Sequence, residues 1–162
     1  MGNLARLHLI ERLIMPIRHA QAEWEGKLAS GRGKILFGGF EGGYSFASRM
    51  ESGTGTNPEE LLGAAQAACF SMALARELGR LHAAPRRIAT RADVHFDKSG
   101  DSYAISAIDL HCEATAEGVS PEQFARAAEQ AKLTCPVARA LGAVEIQLEA
   151  RLQPGSPQAE AA

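Results

Sequence analysis

The sequence predicts an α+β protein, and three observations carry that expectation. One long Ala-rich stretch opens with helix-start residues and carries a cysteine, Cys69. Three later stretches alternate apolar and polar residues with the period of two that half-buried strands show. The first third of the chain instead offers short alternating runs separated by glycines, the pattern of an antiparallel meander. Together they predict a meander, a long buried helix, and a three-strand sheet interrupted by a second helix. The 162 residues suit one domain with a sizeable core.

The elements follow in order. Leu4, Leu7, Leu9, Ile10, Leu13 and Ile14 are interrupted by Arg6, Glu11 and Arg12, which leaves no clean signal-peptide core. Residues 1–14 are compatible with an amphipathic helix and with a start displaced upstream of Met15. The expected domain is 15–153. Ala20, Ala22 and Trp24 face one way and Gln21 and Glu23 the other, which predicts a first strand over Ala20–Trp24. Glycines from Gly26 to Gly33 mark a turn, and Lys34–Phe37 is a second short strand. Gly38–Gly43 reads as a loop, and Tyr44–Met50 as a third strand carrying Arg49.

Asn57 is a good N-cap, Pro58 suits the first helical position, and Glu60 can close a capping box. The helix is expected to reach about Leu78, with Gly79 as C-cap. It is apolar nearly all round, so it should be buried on most sides, in part against a second chain. Ile88–Phe96, Ile108–Ala114 and Val144–Leu152 each present one apolar and one wet face, read as antiparallel sheet. Lys98–Ser102 joins the first two as a hairpin. Ser120 caps a second helix running to about Leu133, with Pro121 at its first position. Cys135 precedes Pro136 and so falls at a helix break, before a short helix through Leu141. The tail 154–162 is small and polar and is expected to fray.

Composition excludes several classes. Apolar residues make up 46% and charged residues 22%, with a net charge of −2. Lys and Arg form no block, so no nucleic-acid partner is expected. No apolar run spans a bilayer. Three cysteines are no complete disulfide framework, and a reducing cytoplasmic setting is expected. None of them forms a CxxC pair, and the five histidines show no metal-ligating spacing. The glycine-rich runs lack the Lys-Ser/Thr of a phosphate loop.

By spacing alone Cys69 reads as a small buried hydrophobe, and so does Cys112 on the apolar face of its strand. Cys135 differs, because a helix N-terminus can lower a thiol's pKa and a break makes it mobile. A distant pair of thiols with charges nearby points to redox chemistry rather than metal binding. A cysteine hydrolase and a non-catalytic thiol sensor or ligand-binding module remain open on these patterns. Arg49 is compatible with an ordinary exposed strand residue, and Glu59 with a partner for the helix dipole.

Three segments resemble a known family: Ala22-Glu23-Trp24-Glu25-Gly26, then Gly55-Thr56-Asn57-Pro58-Glu59-Glu60-Leu61 leading into Ala67-Ala68-Cys69-Phe70-Ser71, and Cys135-Pro136-Val137. The chain from about Met15 to Leu152 is similar to the family of osmotically inducible protein C and organic hydroperoxide resistance protein (OsmC/Ohr), nearer its OsmC branch. The resemblance implies a thiol-dependent peroxidase acting in oxidative or osmotic stress. Cys69 matches the peroxidatic cysteine and Cys135 the resolving one. Arg49 and Glu59 match the active-site arginine and glutamate. It also implies an intertwined homodimer, a hydroperoxide substrate, a dithiol reductant carried by a lipoyl group, and no cofactor.

The homodimer also follows from geometry. Glu59 and Cys69 are ten positions apart. On one straight helix that means roughly 15 Å along the axis and about 80° around it. Two such helices packed antiparallel would bring Glu59 of one chain to Cys69 of the other.

Overall fold

The computed structural model describes residues 16–154, which fall into two units divided between Asn57 and Pro58. The expectations for residues 1–14 and for the tail beyond 154 lie outside the described residues.

In the N-terminal unit, β1 (Ala20–Glu25), β2 (Arg32–Phe37) and β3 (Phe40–Ser45) form an antiparallel sheet in that order. Gly38 and Gly39 both lie at positive φ, 52° and 84°. Two such residues make the tight hairpin turn whose twist matches the strands it joins. The chain therefore re-enters the sheet at Phe40, and the loop expected over Gly38–Gly43 ends after Gly39. Trp24, Gly33 and Tyr44 lie side by side across the three strands. A Cβ on Gly33 would stand 2.1 Å from the Tyr44 ring, so only glycine lets that ring cross β2 toward Trp24. The Trp24 and Tyr44 ring centroids are 5.5 Å apart.

The third strand is shorter than expected. It stops at Ser45, and Phe46–Met50 is a helix, α1, which carries Arg49. The cause is local. Ser48 N–H donates to Ser45 Oγ at 3.0 Å, and Ser45 N–H donates to Ser48 Oγ at 2.8 Å. This reciprocal cap competes with strand hydrogen bonding, as serines do at helix starts. Ser48 Oγ also donates to the Thr56 carbonyl at 2.8 Å, and Asn57 Nδ2 donates to the Ser48 carbonyl at 3.1 Å.

The C-terminal unit opens with α2 (Pro58–Arg80). Glu59, Gly63, Gln66, Phe70, Ala73, Leu74, Glu77 and Leu78 form its buried stripe, at the three- and four-residue steps of one helix face. A Cβ on Gly63 would meet the Ala92 carbonyl and Val94 Cγ2, each at 3.3 Å. The glycine thus lets helix and sheet backbones approach closely. Ala64, Ala65, Ala68 and Met72 lie open to solvent, so a single chain does not bury the helix nearly all round. The helix also continues through Gly79 to Arg80. Arg80 is paired with Glu77 one turn back, a pairing that keeps the last turn helical. The left-handed residue that ends the helix is His82, at φ 55°.

β4 (Ala84–Ser99) and β5 (Ser102–Glu117) pair antiparallel across a short turn at Gly100. Then come α3 (Pro121–Thr134), α4 (Pro136–Ala140) and β6 (Glu145–Gln153). β6 pairs with β5 in parallel, so the sheet is mixed and not wholly antiparallel as expected. Alternation along a strand does not encode direction, whereas a helical crossover carries the chain back to start a parallel neighbour. Ser120 and Gln123 form a capping box at the start of α3. Phe70, Leu74 and Leu78 of α2 meet Ile108 and Leu110 of β5 and Phe124 of α3 in the core. Each such side chain contributes about 1.5–3 kcal/mol when fully buried.

Candidate active site

Cys69 lies about halfway along α2, partly buried, on the flank of the buried stripe. Its neighbour Ser71 ties the helix to the sheet: Ser71 Oγ donates to the Ala67 carbonyl at 2.9 Å and meets Thr90 Oγ1 at 2.8 Å. Cys135 ends α3 and begins α4, with φ −65° and ψ 120°. That extended conformation is what Pro136 imposes on the residue before it. The break turns the Cys135 side chain into the core, fully buried. There it joins the core cluster against which Cys69 packs, and the two thiols lie close enough to influence one another. The structure therefore brings together two cysteines far apart in sequence, both free.

The helix start at α4 does not lower the Cys135 pKa as expected. Burial pushes the thiol up, and contact with Cys69 pushes the same way. The backbone N–H groups of Ala138 and Val137 pull it down but do not prevail. A thiolate in an apolar setting loses more hydration than two amides replace. Cys112 is also buried and raised, first by burial, with a Thr90 hydrogen bond opposing. It occupies the core of β5, as expected.

Glu59 lies in the first turn of α2 and is buried, at 8% exposure. It shares one unbroken helix with Cys69, so the estimated separation of roughly 15 Å holds within a chain. Arg49 belongs to the N-terminal unit, on α1, rather than on a strand.

The sequence reading missed two sets of polar groups near the thiols. Gln66, one turn before Cys69, is fully buried, and no protein group bonds either amide atom. Glu77, also on the buried stripe, receives Arg76 Nη2 at 2.9 Å and Arg80 Nη1 at 2.9 Å. Burial works to raise the Glu77 pKa, but hydrogen bonds from Arg76 and Arg80 outweigh it and hold the carboxyl below its ordinary value. The only sequence signal was a polar residue at each of two stripe positions, visible once the stripe's phase is known. Among the described residues, no group of three or more His, Cys, Asp or Glu is arranged to hold a metal ion. No helix there is long and apolar enough to cross a membrane.

A sequence model of OsmC-like proteins matches residues 51–149, a span that holds Glu59, Cys69 and Cys135. The chain is 42% identical over 142 residues to Peroxiredoxin OsmC of Escherichia coli, covering 84% of this chain and 96% of that protein. Among solved structures, an OsmC-like protein of Mycoplasma pneumoniae superposes with a TM-score of 0.69 at 13% identity, over 86% of this chain and 99% of its own. An organic hydroperoxide resistance protein of Legionella pneumophila does so with a TM-score of 0.63 at 19% identity, over 84% and 98%. The structural likenesses speak for the fold, and the family match and the 42% identity speak for descent: the chain belongs to the OsmC-like protein family.

Proposed function

We propose that this chain is a thiol-dependent peroxidase that reduces organic hydroperoxides and hydrogen peroxide. The observation that carries this reading is that Cys69 packs against the core cluster holding the buried Cys135, near enough for the thiols to interact. The 42% identity to a protein named Peroxiredoxin OsmC supports it. The Cys69 thiolate attacks the distal peroxide oxygen, the O–O bond breaks, and the alcohol or water leaves with a proton. The product is a Cys69 sulfenic acid. The Cys135 sulfur then attacks that sulfur, a disulfide forms, and water leaves. A dithiol, carried by a lipoyl group on a protein, restores both thiols by exchange.

Arg49 supplies the cation that stabilises the thiolate, and Glu59 orients the guanidinium. Residues 15–153 act as one domain within a cytoplasmic homodimer, where free thiols persist. No cofactor takes part in any step.

Steady-state assays with hydrogen peroxide, alkyl hydroperoxides and dihydrolipoamide test the reading. Wild type turns over repeatedly. Cys69→Ser keeps its circular dichroism spectrum and loses all peroxide consumption. A folded Cys69→Ser chain that still turns over would overturn the assignment. A wild type that reacts once and stops would make the protein an oxidant sensor.

A further inference from the structure

The Cys135 sulfur is placed by its backbone, and that backbone is held differently on its two sides. On the C-terminal side, Pro136 fixes the chain, and Arg139 N–H donates to the Cys135 carbonyl at 3.0 Å. On the N-terminal side stands Thr134. Its hydroxyl donates to the Gln130 carbonyl at 2.8 Å and accepts from Arg76 Nη2 at 2.7 Å. The same Arg76 nitrogen donates to Glu77 Oε1 at 2.9 Å. Glu77 is buried, and Arg80 holds its other oxygen at 2.9 Å. A buried, doubly paired carboxylate thus anchors a guanidinium, and the guanidinium holds the residue next to Cys135. The anchor stands on α2, about two turns beyond Cys69.

We propose that Glu77, Arg76 and Thr134 are positioning residues for disulfide formation: they hold the end of α3 against α2 so that the Cys135 sulfur stays in register with Cys69. This rests on the peroxidase reading above. The two chemical steps depend on the clamp differently. Peroxide attack is bimolecular and does not call on the Cys135 sulfur. Condensation is intramolecular, so its rate follows how well the two sulfurs are held together. In that step the Cys135 thiol gives up its proton, its sulfur bonds to the Cys69 sulfenic sulfur, the S–O bond breaks, and the oxygen leaves as water carrying that proton. A sulfenic acid that waits too long meets a second peroxide, which transfers an oxygen to give a sulfinic acid and leaves as alcohol or water.

Rapid mixing with cumene hydroperoxide separates the steps in the full chain, followed by mass spectrometry. Arg76→Leu breaks the link without touching α3. Thr134→Val removes the hydroxyl at nearly constant volume, and Thr134→Ser restores it. Arg76→Leu and Thr134→Val are expected to slow condensation by about three- to tenfold. They should leave the oxidation rate constant unchanged and raise the sulfinic fraction. Thr134→Ser should behave as wild type. If Arg76→Leu does not fold, Thr134→Val against Thr134→Ser decides alone.

Wild-type condensation in the folded variants would overturn the proposal. So would an equal fall in both steps, which marks general damage, or a Thr134→Ser chain as slow as Thr134→Val. A wild type that forms no Cys69 sulfenic acid would instead overturn the peroxidase reading, and this inference with it.

Discussion

Two neighbouring thiols at an apolar core cannot both hold a charge easily. Burial and the neighbouring thiol both raise the Cys135 pKa above the ordinary 9.0. Cys69→Ala should therefore lower the alkylation midpoint of Cys135 relative to wild type, measured against pH in urea-free buffer. Equal midpoints would mean that the thiols do not interact. Gln66 presents the opposite case, a neutral side chain with two unbonded polar atoms. Each such group costs about 1–3 kcal/mol when buried, so Gln66→Met, similar in size and apolar, should stabilise the protein by a comparable amount. A lowered midpoint in urea would show that the amide has a partner of its own. Cys69 and Cys135 were legible in the sequence because short motifs surround them. The burial of Cys135 was not legible, because a motif names a residue and only tertiary packing sets how much water reaches it.

Elements were legible where a residue type forces a conformation. Pro58, Ser120 and Pro121 announced helix starts, and alternation announced all the strands of the C-terminal sheet. Two things escaped. Strand direction depends on the route between strands, so the parallel β5–β6 pair had no signature in either strand. The Ser45–Ser48 cap overrode a strand-like run, because two small hydroxyls can end one element and start another. Gly33 offers a test at this scale. Gly33→Val would drive a branched side chain into the Tyr44 ring and should destabilise the meander by about 1–3 kcal/mol. The emission of Trp24, the single tryptophan, reports it; an unchanged unfolding curve would deny the crossing of Tyr44 over β2. The Glu77 clamp gives a second test. Its carboxyl pKa is lowered on folding, so its contribution is present above the ordinary 4.5 and is lost as pH falls through the lower folded value. The stability gap between wild type and Glu77→Gln should therefore be widest near neutrality and close below pH 4.5. A gap independent of pH would mean that the charge of Glu77 does not matter.

At the scale of the molecule, one chain leaves α2 half covered. Its buried stripe faces its own sheet and α3, while Ala64, Ala65, Ala68 and Met72 stand open. Ala side chains let two helix backbones approach closely, and Met adapts to whatever covers it. A second copy packed antiparallel across a twofold axis would bury Leu61, Leu62, Ala65 and their neighbours. The same packing resolves the separation of Glu59 from Cys69, which one straight helix holds roughly 15 Å apart. The first turn of one helix would then lie beside the later turns of the other, and each reacting thiol would draw on the partner's glutamate. This arrangement makes a prediction that no monomer could satisfy. Glu59→Ala chains and Cys69→Ser chains should each be inactive as homodimers. Dissociated, mixed and reassociated, they should recover up to about a quarter of wild-type turnover: half of the randomly formed dimers are mixed, and each mixed dimer keeps one intact site of two. Verified heterodimers with no recovered turnover would show that Glu59 serves its own chain or takes no part, and a fully active monomer would remove the need for a partner.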